Sequence, residues 1–385
     1  MSDTLRVRAV AVRYESVLLK VDAPALPRIA DKRPRSYRLR RRSIHTVCIR
    51  LRAVKFQRDR NIDRCHISGI KIHEPVTKFP VGRLYSRIET MDSPAAEEKL
   101  EIFNRQRQRL FGLAYRMLGT PAEAEEIVQD AYLRWHTSDL ETIENPEAWL
   151  VSTTTRLSID RLRKASRQRE SYIGPWLPEP LMISPNPTPE EDAELASSLS
   201  TAFLLMLERL SPQERAVFLL HDVFDSSYAD IARIMEREEP AVRQMLHRAR
   251  QRVRTDKPRF SADKAEHRSL VERFSKAAYA SDETALLELF SPDIAVLSDG
   301  GGKVTAARKI VRGVKKVIRI FTIAIPPAAD RLSWRLVEIN GEPGIIEFID
   351  GEPFAANTFE VEDGKIKRLY RIMNPEKLQL LKHLE

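Results

Sequence analysis

Cysteine is scarce in this chain, with only Cys48 and Cys65 among 385 residues, and neither belongs to a CxxC pair. This scarcity argues against a disulfide framework or a cysteine-based zinc site, and it fits a reducing cytoplasm. The longest apolar runs fall well short of the roughly 18 residues that a membrane-spanning helix needs. The first residues also lack the apolar core of a secretory signal. We therefore expect a cytoplasmic protein without a membrane partner.

The positive charge of the chain is unevenly distributed. The sequence is 42% hydrophobic and 31% charged, with a net charge of +9. Residues 1–90 hold 22 Lys and Arg against 8 Asp and Glu, whereas the other residues hold 42 against 47. Nucleic-acid binding beyond residue 90 must therefore be argued from local patches, because the basic excess belongs to the N-terminal segment.

Residues 1–90 show no sustained helical or strand period. Their charge is densest at Arg38 and Arg40–42. A basic arm that holds nucleic-acid phosphates is one interpretation. A disordered tail, or sequence upstream of the natural start at Met91, is the interpretation that we favour, because the composition changes there.

Residues 91–170 have the pattern of an all-α domain. Apolar residues recur at helical spacing over 97–117. Thr120-Pro121 and Asn145-Pro146 are typical helix starts, with a capping residue before a first-turn proline. The last of these helices ends in a run of basic residues that favours phosphate contact: Arg156, Arg161, Arg163, Lys164, Arg167 and Arg169.

Residues 171–193 contain six prolines. That density excludes a continuous helix or a central strand and predicts an extended linker. Trp176 and Leu177 lie within it, and a passive spacer rarely exposes such residues. We expect Trp176 to pack on a neighbouring domain.

Residues 194–256 predict a helix-turn-helix. Ser211 and Ser227 are candidate caps for the helices before the turn, and the helix from Pro240 buries an apolar stripe. In this motif the second helix enters the major groove, where Arg and Gln can pair with base edges. Its free face carries Arg243, Gln244, His247, Arg248 and Arg250. His247 lacks a partner pattern that would make it a metal ligand.

Residues 264–385 predict an α+β domain. Helical patterns precede a strand at 293–297, and DGGGK follows at 299–303. Three turn dipeptides, Asn340-Gly341, Asp350-Gly351 and Asp363-Gly364, then separate strand-like runs. We expect a four-stranded antiparallel meander that packs one face on helices.

These stretches together resemble a known family. EAEEIVQDAYLRW, NPEAWLVSTTTRLSIDRLR and LSPQERAVFLLHDVFDSSYADIARIM look like bacterial extracytoplasmic-function (ECF) sigma factors over residues 95–255. The C-terminal part looks like a SnoaL-like cone domain, and WLPEP, DGGGK and NPEKL resemble motifs of the SigJ-like subgroup. The implied fold is two all-α sigma domains, the second with the helix-turn-helix, followed by the α+β cone. No resemblance covers residues 1–90.

The resemblance implies three sets of functional residues. An acidic helix would dock on core RNA polymerase through Glu125, Glu126, Gln129 and Asp130. The promoter −10 element would be melted and held by Asn145, Arg156, Arg161, Arg163 and Lys164. The −35 element would be read by Arg243, Gln244, His247, Arg248 and Arg250. The chain departs from the family at Glu236, where glycine is common, and at Glu238-Glu239-Pro240, where acidic residues repel nearby phosphates.

The resemblance also implies regulation by the C-terminal domain. DGGGK and NPEKL would contact the WLPEP linker and hold the sigma regions in a fixed arrangement. The residues expected in these contacts are Trp176, Leu177, Asp299, Gly300, Gly301, Lys303, Asn374 and Pro375.

The expected function is that of a non-catalytic transcription initiation factor, with core RNA polymerase and promoter DNA as partners and without a cofactor or a metal. A small-molecule ligand in the C-terminal domain is left open. One alternative is a DNA-tethered isomerase or cyclase with Asp299 or Glu347 as its base. The other is a helix-turn-helix repressor that acts without polymerase.

Overall fold

The computed structural model describes residues 94–182, 199–253, 263–324 and 330–382. All of them belong to one compact unit, Ser93–Glu385. The expectations for residues 1–90, and for the linker beyond residue 182, lie outside the described residues. Within the described ranges, every helix is too short or too polar to cross a membrane, and no group of His, Cys, Asp and Glu could hold a metal ion.

Three long helices form the first domain. They are α1 (Pro94–Leu118), α2 (Pro121–Thr137) and α3 (Pro146–Arg169), with a 3-10 turn at Leu140–Thr142. The Asn145 side chain accepts from the Ala148 amide at 3.0 Å and caps α3, as its sequence context predicts. Thr120 differs from the prediction, because its hydroxyl donates to Glu123 at 2.7 Å and caps no backbone amide of α2.

Four shorter helices form the helix-turn-helix domain. They are α4 (Thr201–Leu207), α5 (Pro212–Asp222), α6 (Tyr228–Met235) and α7 (Glu239–Val253). Ser211 and Glu214 form the expected capping box at the start of α5. The Ser227 hydroxyl accepts from the Asp230 amide at 3.1 Å and caps α6.

The two helical domains share one hydrophobic core. Side chains from α1 and α2, such as Leu110 and Ile127, belong to the same buried cluster as Leu219 and Leu246 from α5 and α7. Helix α3 packs against both α5 and α6. The sequence predicts two separate domains, and the structure adds an apolar interface between them.

The third domain is a cone of helices and one mixed sheet. Its helices are α8 (Lys264–Tyr279), α9 (Glu283–Leu289) and α10 (Val314–Arg319), followed by a π-helical turn at Ile320–Ala324 and, near the C-terminus, a 3-10 turn at Gln379–Leu381. The strands are β1 (Phe290–Asp299), β2 (Val311–Arg312), β3 (Leu332–Ile339), β4 (Glu342–Ile349), β5 (Glu352–Glu362) and β6 (Lys365–Ile372). The predicted fold class is confirmed.

The sheet runs in the order β2-β1-β6-β5-β4-β3, with β1 and β6 parallel and every other pair antiparallel. The three predicted turn dipeptides connect β3 through β6. Both residues of each dipeptide have positive φ, for example 55° and 77° at Asn340-Gly341. Such turns match the twist of the flanking strands, which explains why the meander could be predicted.

Candidate functional sites

The outer face of α7 presents the residues expected to read DNA. Val242, Met245 and Leu246 are buried, whereas Arg243 and Gln244 are exposed, as are the other three predicted residues. Burial of one stripe therefore turns all five predicted residues outward. These five are Arg243, Gln244, His247, Arg248 and Arg250.

Three of the five have partners on their own chain. His247 Nε2 lies 3.0 Å from Gln251 Nε2. Arg243 pairs with Glu239 at 3.1 Å, and its guanidinium lies 4.3 Å from the centre of the Tyr228 ring. Arg250 donates to Asp222 from Nε at 3.0 Å, and this hydrogen bond raises the pKa of Arg250. Phosphate contact by Arg250 would therefore compete with an ion pair.

Some acidic side chains of α2 also have ion-pair partners within the chain. Glu126, Gln129 and Asp130 are exposed. Glu126 accepts from Arg161 of α3 at 2.9 Å, and Glu125 pairs with Arg107 of α1. A residue expected to contact polymerase is thus paired with one expected to contact promoter DNA.

The basic residues of α3 differ in their partners and exposure. Arg163 pairs with Asp160 at 3.1 Å, and Lys164 is exposed. Arg156 instead reaches the helix-turn-helix, where its Nε donates to the Ile234 carbonyl at 3.0 Å and its Nη1 lies 2.9 Å from Glu236. This contact joins the proposed −10 helix to the turn between α6 and α7.

A buried carboxylate ties the linker to the cone. Asp299, at the end of β1, is fully buried. It accepts from the Tyr172 hydroxyl at 2.5 Å, from the Leu177 amide at 2.8 Å and from Lys377 Nζ at 2.7 Å. Lys377 also donates to the Leu177 carbonyl, and Asn374 donates to Tyr172 at 2.9 Å. We call Tyr172, Leu177, Asp299, Asn374 and Lys377 the linker clasp.

The clasp is a largely buried polar cluster with complementary charge. Burial lowers the pKa of Lys377, an effect that Asp299 opposes. Burial also raises the pKa of Tyr172, and its hydrogen bond to Asp299 adds to this. An ammonium and a carboxylate removed from water in this way depend on each other, because either one alone would be a costly buried charge.

The glycine run gives the clasp its shape. Gly301 has a φ of 58°, and its amide donates to Asp299 at 3.1 Å. A Cβ at Gly301 would lie 2.5 Å from the Asn374 amide nitrogen and 3.0 Å from the Tyr172 hydroxyl. Glycine is therefore required here by both the backbone conformation and the close approach.

The other predicted contact residues lie around the clasp. Gly300 is buried and its carbonyl accepts from the Lys303 amide at 2.9 Å, whereas the Lys303 side chain pairs with Glu376. Pro375 is exposed, and its carbonyl accepts from Gln379 at 3.0 Å.

Trp176 lies between the first domain and the cone, as its apolar character suggests. The Arg169 guanidinium lies 3.6 Å from the indole centre, and Lys377 Nζ lies 4.2 Å away. The ring also covers Gly119, where an added Cβ would lie 2.6 Å from it. Arg169 is therefore part of the linker packing, although its sequence pattern favours phosphate contact.

Arg169 belongs to a buried ion network. It pairs with Glu208 at 2.5 Å, and the fully buried Arg215 pairs with the same carboxylate at 2.8 Å. Although burial opposes it, the two guanidinium groups lower the pKa of Glu208. Arg215 also donates to the Met117 carbonyl at 2.8 Å, so the network joins α1, α3, α4 and α5.

Tyr115, which the sequence does not single out, joins α1 to the linker and to the cone. The Tyr115 hydroxyl of α1 donates to the Glu179 carbonyl at 2.6 Å and to Asn340 at 3.2 Å. The Glu179 amide donates to the Gly119 carbonyl at 2.8 Å. Nothing local in the sequence marks Tyr115, because its partners lie 64 and 225 residues away.

The linker also extends the sheet. The Leu181 amide donates to the Asn340 side chain at 2.7 Å, and the Asn340 amide donates back to the Leu181 carbonyl at 2.8 Å. Met182 then forms an antiparallel bridge with Ile339 at the end of β3. Asn340 therefore serves both as a turn residue and as a linker contact.

One cavity among the described residues of the cone is small. The cavity beside Phe274, Tyr279 and Glu347 measures about 10 Å³, which is room for one water molecule. Glu347 receives both guanidinium nitrogens of Arg371 at 2.9 Å and the Asn357 amide at 3.1 Å. The oxygens of this carboxylate are thus already occupied by hydrogen bonds from within the protein.

A larger groove lies outside the cone. It measures about 370 Å³ and is lined by the glycine loop and the residues after it, with the linker at Ile173 and Gly174. Lys303 and Arg308 are its charged lining residues. The groove therefore suits a small anion better than a neutral apolar molecule.

Known protein families match both helical domains. Residues 102–168 match Sigma-70 region 2, and residues 200–253 match Sigma-70, region 4. A region 2 followed by a region 4 defines the class of bacterial sigma factors. The region 2 match also accounts for residues that an ordinary helix-turn-helix repressor would leave unexplained.

Individual relatives show to which family of sigma factors the chain belongs. ECF RNA polymerase sigma factor SigJ of Mycobacterium tuberculosis is 36% identical over 286 residues, covering 71% of this chain and 91% of the relative. Probable ECF RNA polymerase sigma factor SigI of the same species is 29% identical over 279 residues, covering 72% and 93%. The crystal structure of M. tuberculosis SigJ matches with a TM-score of 0.60 and 34% identity, over 72% of this chain and 98% of that one. The chain belongs to the ECF RNA polymerase sigma factors. Its function is promoter-specific initiation of transcription with core RNA polymerase.

Proposed function

We propose that the described arrangement is a closed form of this sigma factor and that the linker clasp holds it closed. The observation that carries the proposal is buried Asp299, which binds Tyr172 and Leu177 of the linker together with Lys377 of the cone. Initiation would require the sigma regions to separate, since each reads a different promoter element. The cone would then regulate initiation through the linker.

The pairing of functional residues within the chain supports a closed form. Arg156 of region 2 is bound to Glu236 and the Ile234 carbonyl of region 4. Arg161 is bound to Glu126. In the open form these side chains would be released for phosphate and polymerase.

The proposed contacts of the open form follow from charge and exposure. Glu125, Glu126, Gln129 and Asp130 would bind a basic surface of core polymerase, and this would take place in the bacterial cytoplasm. The −10 element would be held by Asn145, Arg156, Arg161, Arg163 and Lys164. The −35 element would be read by Arg243, Gln244 and His247, while Arg248 and Arg250 would grip phosphates.

Run-off transcription with core polymerase tests the clasp. Asp299→Asn removes the carboxylate charge opposite Lys377, and breaking a buried pair in this way typically costs about 3–5 kcal/mol. We expect the variant to initiate several-fold more transcripts than the wild-type chain at limiting core polymerase, because closure competes with assembly. A chain truncated near residue 260 lacks the cone, so its yield of run-off transcripts should differ from that of the full-length protein.

Asp293→Asn is the matched control. Asp293 is an exposed carboxylate on the same strand, hydrogen-bonded to Ser291 at 2.7 Å. Transcription should be unchanged in this variant, and circular dichroism should show that both variants are folded. Equal transcription by Asp299→Asn and wild type would refute the clasp, whereas failure of every chain, including the truncation, would instead count against the sigma function.

We further propose that the cone is regulatory and not catalytic. Both carboxylates that could act as a base are engaged, Asp299 by Lys377 and Glu347 by Arg371. The cavity of about 10 Å³ is also too small for a cyclase or isomerase substrate.

A small-molecule effector would fit the outer groove instead. Lys303 and Arg308 favour an anionic group there. Inorganic phosphate should then raise the melting temperature of the wild-type protein but not that of Lys303→Gln/Arg308→Gln. A melting temperature that phosphate leaves unchanged would exclude such a site.

A further inference from the structure

The longest stretch of the cone domain without acidic residues is strongly basic. No Asp or Glu occurs between Asp299 and Asp330, and residues 303–319 contain seven Lys and Arg. The rest of residues 264–385 holds 12 Lys and Arg against 18 Asp and Glu. One segment of an otherwise acidic domain therefore carries a concentrated positive charge.

All seven of these cations are exposed in the structure, and six of them form a group without ion pairs among the described residues. We call these six the basic surface: Arg308, Lys309, Arg312, Lys315, Lys316 and Arg319. Among the residues that the structure describes, none of the six lies within ion-pair distance of a carboxylate. The seventh, Lys303, is paired with Glu376.

Helix α10 and strand β2 direct several of these cations toward the outside of the domain. Helix α10 buries Val317 and Ile318, so Lys315, Lys316 and Arg319 project from its opposite side. Arg312 lies on β2, which pairs with β1. Four of the six cations therefore lie on packed elements, whereas Arg308 and Lys309 lie in the loop before β2.

Acidic side chains on the neighbouring helix do not neutralise the surface. Helix α9 packs on α10 and carries exposed Glu283 and Glu288. Neither forms an ion pair with the six cations in the part of the chain described. The surface is thus free to meet an external polyanion.

The chemistry of the surface favours duplex DNA over an acidic protein or single-stranded nucleic acid. Protein interfaces are anchored by aromatic and apolar residues, yet residues 303–319 contain no aromatic residue. Their one exposed large hydrophobic residue is Ile310, at 41%. Single-stranded DNA is commonly held by stacking on aromatic rings, which this surface lacks. Duplex phosphates need only spaced cations.

We propose that the basic surface is a third DNA-binding element of this sigma factor, which grips the phosphate backbone of duplex promoter DNA in the polymerase-bound state. It would add affinity without adding sequence preference, because phosphate contacts carry no base information. This inference uses the established sigma function and does not depend on the linker clasp.

Salt dependence of promoter binding tests the proposal. Holoenzyme reconstituted with full-length Lys315→Gln/Lys316→Gln/Arg319→Gln is compared with wild type on a duplex promoter fragment. Each phosphate contact contributes about 0.9 to the slope of log affinity against log salt concentration. We expect the slope to become shallower by about 2 to 3, and the affinity at low salt to fall tenfold or more.

Lys264→Gln/Arg273→Gln/Lys276→Gln is the matched control, since it removes three exposed cations of the same domain from α8. It should leave the slope unchanged. Lys315→Arg/Lys316→Arg keeps the charge and should bind like wild type. Parallel salt plots for the Gln variant and wild type would overturn the proposal. So would weaker binding of the Gln variant to core polymerase without DNA, because the surface would then belong to a polymerase interface.

Discussion

Glu236 lies at the turn between α6 and α7 of the helix-turn-helix. It ends α6 in the left-handed conformation, with φ 52° and ψ 50°, where glycine is favoured. Its carboxylate lies 2.9 Å from Arg156 of region 2, with 75% of the Glu236 side chain exposed. The backbone strain is thus accompanied by a contact between the sigma regions that glycine could not make.

Substitutions at Glu236 separate these two effects. Glu236→Gly should have a free energy of unfolding about 1 kcal/mol higher than Glu236→Gln, because both lose the ion pair and a non-glycine residue in this conformation costs roughly that much. Glu236→Gln keeps the strain and loses only a surface ion pair, which is worth about 0–1 kcal/mol. Denaturant unfolding of the two variants checks this. A Glu236→Gly protein less stable than Glu236→Gln would show that the backbone is not strained.

Individual residues also show which structural roles can be predicted from the sequence and which cannot. Ser211 and Asn340 could be predicted as a cap and a turn residue, because their partners are local. Lys377 lies within the quoted NPEKL motif, but its pairing with Asp299 spans 78 residues. Tyr115 and Tyr172 carry no local signal, since the three-dimensional approach of the linker gives them their roles.

At the scale of elements, the linker shows most clearly what the sequence does and does not predict. Proline content predicts an extended segment, and this is correct for the residues up to Met182. Composition alone does not predict that both faces of the segment are covered, by α1 on one side and by the cone on the other. Burial of its polar residues has a consequence for pH.

Glu179 of the linker should make stability depend on pH. Burial raises the pKa of its carboxyl from 4.5 to about 7, although Lys377 opposes the shift. The folded state therefore binds the proton more tightly than the unfolded state. The contribution of Glu179 to stability should fall as the pH rises from about 4.5 to about 7 and should then level off.

Glu179→Gln should remove that decline, because the amide stays neutral. The variant should resemble wild type near pH 4.5 and exceed its unfolding free energy by about 1–3 kcal/mol at pH 7.5. Denaturant unfolding at several pH values measures the difference. Glu170→Gln, at the exposed end of α3, is the control and should follow wild type throughout. A Glu179→Gln curve parallel to wild type would contradict the assignment.

At the scale of the whole molecule, the three domains form one compact unit in which sigma regions 2 and 4 touch. The order of the domains could be read from sequence motifs. Their contact could not, because the buried side chains that join them satisfy the same helical periodicity as an isolated core.

Opening should be visible as a change in distance between the sigma regions. Spin labels at Asp160 of α3 and Arg237 after α6 would report on it, in a background with Cys48 and Cys65 replaced by serine. We expect a longer distance after core polymerase is added, because Arg156 must leave Glu236. A distance that polymerase leaves unchanged would mean that the regions bind polymerase as a unit.

The short bridge between Met182 and Ile339 gives the linker a protective role. Strand β3 is one of the two edges of the sheet, and an exposed edge is a template for pairing with other chains. The linker occupies the end of that edge, so the proposed opening would uncover backbone groups able to pair with another strand. A cone domain separated from its linker should therefore aggregate more readily than the intact protein. The open form should aggregate least when polymerase binds it quickly.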